Sequence, residues 1–199
     1  MHLRHVGMIA LVLIVQAGWA GAANNLFSLR KQEPAANSVP LELLNDRDVV
    51  RMLAEVPWPL GSADVETFLR RDPGGTDAFV ILGDLGPIGV ASFKRLGSGE
   101  PPRTMPRLGY WIGRRHWGLG YGTEAVGALV DHAFKNDPGE RIGAGVFHDN
   151  PASRRLLERL GFSEVGRYLT HSASRAAEVE TADMQLTRVK WAEARAGQR

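Results

Sequence analysis

The stretch from residue 108 to 168 constrains the fold most, because its hydrophobic pattern alternates between two periods. Leu108–Ile112 (LGYWI), Ile142–Phe147 (IGAGVF) and Phe162–Tyr168 read as strands. Between the first two, Ala125, Val126, Leu129, Val130, Ala133 and Phe134 recur at spacings of three and four, which predicts a helix over Thr123–Phe134. Pro151–Leu160 is a second helix, stopped by Gly161. Strand–helix–strand–helix–strand order implies a largely buried sheet with helices packed on it.

The flanks are consistent with that sheet. Asn25–Lys31 reads as a first strand, and Ala35–Leu44 and Asp46–Leu53 as helices, with Pro40 kinking or splitting the first. Ser62 is placed to cap a helix carrying Val65, Phe68 and Leu69. Ala78–Leu82 and Ile88–Phe93 flank Gly83-Asp84-Leu85-Gly86, a hairpin signal. Leu96–Pro106 reads as a loop, Asp183–Val189 as a last strand and Lys190–Arg199 as a loose basic tail. A chain of 199 residues is one domain's worth. Hydrophobic residues at 44% exclude a disordered or fibrous class, and the absence of cysteine excludes disulfides and thiolate metal sites. A net charge of +2 is too small to argue for nucleic acid, yet allows a local basic pocket for a phosphate-bearing ligand.

Such a pocket has an obvious address. Arg114-Arg115-His116-Trp117-Gly118-Leu119-Gly120-Tyr121-Gly122-Thr123-Glu124 joins the strand at 108 to the helix at 123. Glycines let a ligand approach the backbone, and free N–H groups with the helix dipole favour an anion. The dinucleotide pattern G-x-G-x-x-G fails, because its third glycine is Thr123. The P-loop fails too, because no lysine follows these glycines. The spacing present is Arg115-x-x-Gly118-x-Gly120, and its plain alternative is a glycine-rich turn with no ligand.

The run Leu108–Ala125, with Arg115, Gly118 and Gly120 meeting [Q/R]-x-x-G-x-[G/A], resembles the central motif of the GNAT superfamily of acyl-CoA-dependent N-acetyltransferases. Among its branches it is most similar to the one that acetylates ribosomal-protein N-termini. A second block, Asn150-Pro-Ala-Ser-Arg-Arg-Leu-Leu-Glu-Arg-Leu-Gly-Phe162, agrees, and Leu29–Asp46 is a third, weaker one. The resemblance covers roughly 24–188. It implies a mixed α/β fold: a central, splayed, mostly antiparallel sheet of six or seven strands flanked by about four helices. It further implies acetyl-CoA as co-substrate, with the amides of Arg115, Gly118, Leu119, Gly120, Tyr121, Gly122 and Thr123 on its pyrophosphate. Backbone groups of Trp111, Ile112 and Gly113 would hold the thioester and pantetheine.

Asn150 before Pro151 is a helix start on physical grounds, since Asn caps and Pro suits the first helical position. By the resemblance Asn150 also bonds the pantetheine arm. Ser153 would then protonate the leaving thiolate. Many relatives use a tyrosine seven residues after this Asn, but that position is Leu157 here. An attacking amine must be neutral, and an alkylammonium has a pKa of about 10, so a base or water chain is required. The branch's base, a glutamate, aligns with Ser172, which leaves His171 as the base candidate and His148 as a second. Strand amides near Ile112 are the oxyanion candidates. Glu124 complements the helix dipole. Trp58 and Trp111 are candidate walls of the acceptor side, the alternative being simple packing. No histidine pair has metal-ligand spacing, so no metal is expected.

Residues 1–23 (MHLRHVGMIALVLIVQAGWAGAA) have a basic start, an apolar run and a small-residue close at Ala20-Gly21-Ala22. They admit a cleaved signal peptide, a misassigned start or an apolar helix on the domain, and the run is short for a stable membrane span. Acetyl-CoA chemistry favours the cytoplasm, and export is the alternative. The expected units are therefore 1–23, an N-acetyltransferase domain at 24–189 and the tail at 190–199. The expected partners are acetyl-CoA and an amine, in a monomer or homodimer. The main alternative is a non-catalytic module on the same fold that binds acyl-CoA or a protein.

Overall fold

The computed structural model describes residues 28–31, 40–61, 64, 76–95 and 105–196. They form one seven-stranded sheet: β1 (Ser28–Lys31), β2 (Thr76–Gly83), β3 (Gly86–Lys94), β4 (Arg107–Ile112), β5 (Arg141–Phe147), β6 (Ser163–Ser172) and β7 (Ala177–Thr187). The order is β1-β2-β3-β4-β5-β7-β6, and every pairing is antiparallel except β4 with β5. The helices are α1 (Leu41–Leu44), α2 (Arg47–Val50), α3 (Tyr121–Asn136), α4 (Pro151–Arg159) and α5 (Arg188–Ala196), with a 3-10 turn at Arg114–His116. This is the mixed, mostly antiparallel α/β sheet that the family resemblance implies.

The parallel pair is the unusual part. Connecting β4 to β5 in parallel requires a crossover, and α3 provides it. Yet β4 and β5 pair only at Arg107↔Gly143 and Leu108↔Ala144. Past those positions the two strands part, leaving a gap that opens under the start of α3.

Local sequence accounts for the elements around the gap. Ala125, Val126, Leu129, Val130 and Ala133 form the buried stripe of α3 and pack on Phe79, Ile81, Phe93, Leu108 and Ile112. Asn150 caps α4, its Oδ1 accepting from the Ser153 N–H at 3.1 Å, and Pro151 follows in the first turn. Gly161, at φ +94°, ends that helix in the left-handed conformation.

The structure corrects two expectations. Of the tail expected at 190–199, residues 190–196 are helix, since α5 runs to Ala196, and 197–199 lie outside the described residues. Trp191 on α5 is buried and donates its indole N–H to Asp131 at 2.8 Å. Arg188 donates to the carbonyls of Phe134, Asp137 and Gly139 at 2.6, 2.7 and 3.0 Å, which satisfies the orphan end of α3. Basic residues suggested a solvated tail, but these partners lie 49 to 60 residues away along the chain. The last strand also begins at Ala177, six residues before the expected Asp183. Glu178 and Glu180 are exposed there, and glutamate is depleted in strands, so propensity gives no strand signal before Asp183. The helix expected after Ser62, the residues 25–27 and the segment 1–23 lie outside the described residues. Among the described residues no helix is long and apolar enough to cross a membrane.

Candidate functional site

The glycine loop delivers α3 with a bare N-terminus. Gly118 and Gly120 take φ +75° and +90°, a region that side chains rarely adopt, and a Cβ at either would meet nothing within 4 Å. Gly120 is the N-cap of α3 and provides no side-chain bond to the first turn. The Thr123 and Glu124 N–H groups bond back to Gly120 O at 3.0 and 3.3 Å, so Thr123 does not offer the amide expected of it; the amides before it, at the start of a 16-residue helix, are left to an outside acceptor with the positive end of the dipole behind them. Arg115 is exposed beside them, its Nε donating to His116 Nε2 at 3.0 Å. Arg114 instead pairs with Asp48 of α2 at 2.9 Å. Leu119 is exposed, Tyr121 is buried, and Gly122 packs so closely on α4 that a Cβ would come within 2.8 Å of Leu156 Cδ1. Burial raises the pKa of Glu124 in the first helical turn.

The open edge of β4 can be read from two hydrogen bonds. Gly143 N–H donates to Pro106 O at 2.9 Å, and Gly113 N–H donates to Ile88 O at 2.8 Å. Backbone groups alternate sides along a strand, so Leu108, Tyr110 and Ile112 face β5 while Trp111 and Gly113 face β3. Since β5 has moved away, the amides of Tyr110 and Ile112 point into the gap. Ile112 O accepts the Trp117 indole N–H at 2.6 Å, and Gly113 O accepts from His116 N–H at 2.9 Å. Of the three residues expected to offer backbone groups, Ile112 alone turns its N–H inward, and both backbone groups of Gly113 are already engaged.

The far wall of the gap is α4. Ser153 Oγ lies 2.8 Å from Tyr110 Oη, a bond that sequence reasoning did not foresee. Burial pushes the Tyr110 hydroxyl up to about 12, against the smaller opposite effect of the Ser153 bond. Tyr110 therefore stays protonated at neutral pH. Leu157, where many relatives carry tyrosine, is fully buried core.

Beside Asn150, Asp149 gathers two arginines. Arg51 Nη2 donates to it at 2.7 Å, and Arg175 Nη1 and Nη2 at 2.9 and 3.1 Å. Burial alone would raise the Asp149 pKa, but these guanidinium groups, with Arg175 foremost, hold it below the usual carboxylate value. The same network ties α2 to the β6–β7 turn: Arg175 Nε donates to Arg51 O, Ala173 N–H to Ala54 O and Ser174 Oγ to Val50 O. A cavity of about 290 Å³ opens there, lined by Arg47, Val50, Arg51, Trp58, Ser174 and Arg175.

The base candidates are spread out. His171 sits on β6, 65% exposed, with Nδ1 3.4 Å from Glu178 Oε1 across the hairpin. Ser172 beside it is fully buried, with Oγ 3.4 Å from Ser174 Oγ. His148 is exposed after β5, its N–H donating to Glu180 O at 2.9 Å. Trp58 lines the cavity, and Trp111 lies on the opposite face of β4 from Tyr110. Among the described residues no group of three metal-ligating side chains is assembled. Sequence reasoning missed Tyr110, Asp149, Arg51 and Arg175. Of these only Tyr110 left a trace, as one more aromatic in the strand LGYWI.

A splayed parallel pair beneath an uncapped, glycine-led helix is the architecture of acyl-CoA-dependent acetyltransferases. The family profile described as Acetyltransferase (GNAT) domain matches residues 27–163, more than half of the chain, and the chain belongs to that family. It is 35% identical over 79 residues to the uncharacterized N-acetyltransferase p20 of Bacillus licheniformis, covering 40% of this chain and 43% of that protein. It is 33% identical over 89 residues to the ribosomal-protein-serine acetyltransferase of Escherichia coli, covering 45% and 48%. The matches thus span less than half the length of these relatives. In fold it is similar to spermidine N-acetyltransferase from Vibrio cholerae, solved with CoA and spermine, at a TM-score of 0.65 and 18% identity over 85% of this chain and 99% of that one.

Proposed function

We propose that this protein is an N-acetyltransferase that moves the acetyl group of acetyl-CoA to a primary amine by direct attack within a ternary complex. The observation that carries this reading is the gap between β4 and β5 opening beneath the bare N-terminus of α3. Gap and helix together suit a ligand with a pyrophosphate at one end and a narrow arm at the other. The residues fit that ligand: amides from Gly118 to Gly122 with Arg115 for the phosphates, the Ile112 and Tyr110 amides for the arm and carbonyl, and Asn150 and Ser153 on the opposite wall.

The chemistry then needs no covalent enzyme intermediate. The amine lone pair attacks the thioester carbonyl carbon, and the amide of Ile112 faces the developing oxyanion. The C–S bond breaks as the intermediate collapses. Ser153 gives its proton to the departing thiolate and draws one from Tyr110, whose raised pKa keeps it protonated. His171, exposed on β6, is the residue we assign to take the proton that the nitrogen sheds once the neutral amine has added to the carbonyl. A cytoplasmic location follows from the same reading, since acetyl-CoA is made and used there.

Calorimetric titration of the full chain with acetyl-CoA, beside the Gly118→Glu/Gly120→Glu variant, tests the cofactor site. Micromolar binding, about −8 kcal/mol, that disappears in the variant is the expected result. A folded protein that does not bind acetyl-CoA overturns the reading. Ser153→Ala and His171→Ala then separate an enzyme from a non-catalytic acyl-CoA-binding module, since only an enzyme has turnover to lose.

A further inference from the structure

The cavity between α2 and the β6–β7 turn holds more positive charge than its one carboxylate balances. Three guanidinium groups line it, those of Arg47, Arg51 and Arg175. Asp149 answers two of them, and its oxygens are already committed: Oδ2 accepts from both Arg51 and Arg175, and Oδ1 from Arg175. Arg47 has no side-chain hydrogen bond or ion pair among the described residues, and the adjacent Asp48 is engaged by Arg114. With Asp149 held ionised, the lining keeps a surplus of two positive charges. A second ammonium group brought here meets repulsion, whereas a carboxylate or phosphate meets planar donors that match it. The Asp149 that binds two of the lining arginines also links the cavity to the α4 wall of the gap. Asp149 is followed directly by Asn150, whose side chain anchors the Ser153 amide. Trp58, 38% exposed, adds an aromatic wall.

We infer that this cavity selects the acceptor: the amine acetylated by this protein carries an anionic group, carboxylate or phosphate, that docks on Arg47 and on the Arg51 donors that Asp149 leaves free, while Arg175, bonded to Asp149 and Arg51 O and stacked on Phe147, adds charge behind them. The inference rests on the acetyltransferase reading above and goes beyond it by naming the acceptor class. It sets this chain apart from its structural neighbour solved with spermine, a polycation.

The test uses the full chain with saturating acetyl-CoA and matched acceptor pairs differing by one kind of charge. The pairs are γ-aminobutyrate and its amide, phosphoethanolamine and ethanolamine, and the peptide amides Ala-Glu-Glu and Ala-Gln-Gln, with spermidine as the polycation. The pairs also distinguish a small anionic amine from an acidic peptide. Where a pair is turned over, kcat/KM for the anionic member is expected to exceed its partner by at least about tenfold. Arg47→Gln is expected to bring that ratio near unity. Arg141→Gln, which removes the same charge at the other end of β5, is expected to leave the ratio intact. Equal or better turnover of the neutral members or of spermidine overturns the inference, as does a ratio that survives Arg47→Gln. If CoA binds by calorimetry but no anionic amine reacts, the inference falls while the cofactor reading stands. If CoA itself does not bind, the acetyltransferase reading falls and takes this one with it.

Discussion

Tyr110 Oη lies 2.8 Å from Ser153 Oγ, and this single bond joins β4 to the first turn of α4 across the gap where the parallel strands part. Forty-three residues separate the two in sequence. Each hydroxyl has a role the other makes possible. In the proposed mechanism Ser153 protonates the thiolate and the half-buried, protonated Tyr110 resupplies its proton.

Removing either hydroxyl should therefore slow the chemical step. Tyr110→Phe and Ser153→Ala are each expected to lower kcat by about tenfold or more, with the acetyl-CoA dissociation constant little changed. The double variant should be scarcely worse than either single one, because residues that act as a unit are not additive. Steady-state kinetics beside calorimetry reads both quantities. An unchanged kcat with reduced stability would make the pair structural only.

Gly89 is where β3 runs closest to β4. A Cβ there would overlap the Trp111 carbonyl oxygen and come within 2.9 Å of Ile112 Cα. Gly89→Ala should cost about 3 kcal/mol as the backbone moves to relieve the overlap. It should also weaken acetyl-CoA binding, since the displaced strand carries the Ile112 amide. Urea denaturation and the same titration measure the two effects.

Acid stability should depend on a partly buried cluster where α3 meets β2. His132 Nε2 donates to Asp77 Oδ2 at 2.9 Å, its Nδ1 accepts from Asn136 at 3.1 Å, and Arg95 donates to the same Asp77 oxygen at 2.5 Å. Burial alone would raise Asp77, but the bonds from Arg95 and His132 outweigh it and hold the pKa below 3.8. With a depressed folded pKa, the unfolded chain binds the proton first on acidification. The stabilisation is complete above pH 3.8 and is lost as pH falls through the lower folded value. Denaturation midpoints followed downward in pH should show that loss in the native sequence, and Asp77→Asn should abolish this part of it.

The C-terminal helix should be integral to the domain. Trp191 is 7% exposed and bonded to Asp131. Trp191→Ala should destabilise by about 3 kcal/mol, through the cavity it leaves and the partner it strands. A melting temperature unchanged by this substitution would return residues 188–196 to the role of an appendage.

Much of the catalytic framework was legible because its causes are local. The apolar spacing of α3, the Asn150-Pro151 cap of α4 and the glycines at 118 and 120 act within a few residues of themselves, so the chain alone determined where each helix would start and which loop would take positive φ angles. Tertiary structure decided the rest. Tyr110 is one aromatic among several until the splay of β4 from β5 brings α4 within reach. Asp149, Arg51 and Arg175 form a pocket only because the β6–β7 turn folds back onto α2, across more than 120 residues, as the Arg175–Arg51 bond shows. Residues 188–196 become a helix when Asp131 and the end of α3 receive their side chains. Capping and periodicity are written into neighbouring residues. Charge networks and hydroxyl relays depend on which distant surfaces meet, and the packing of the sheet settles that.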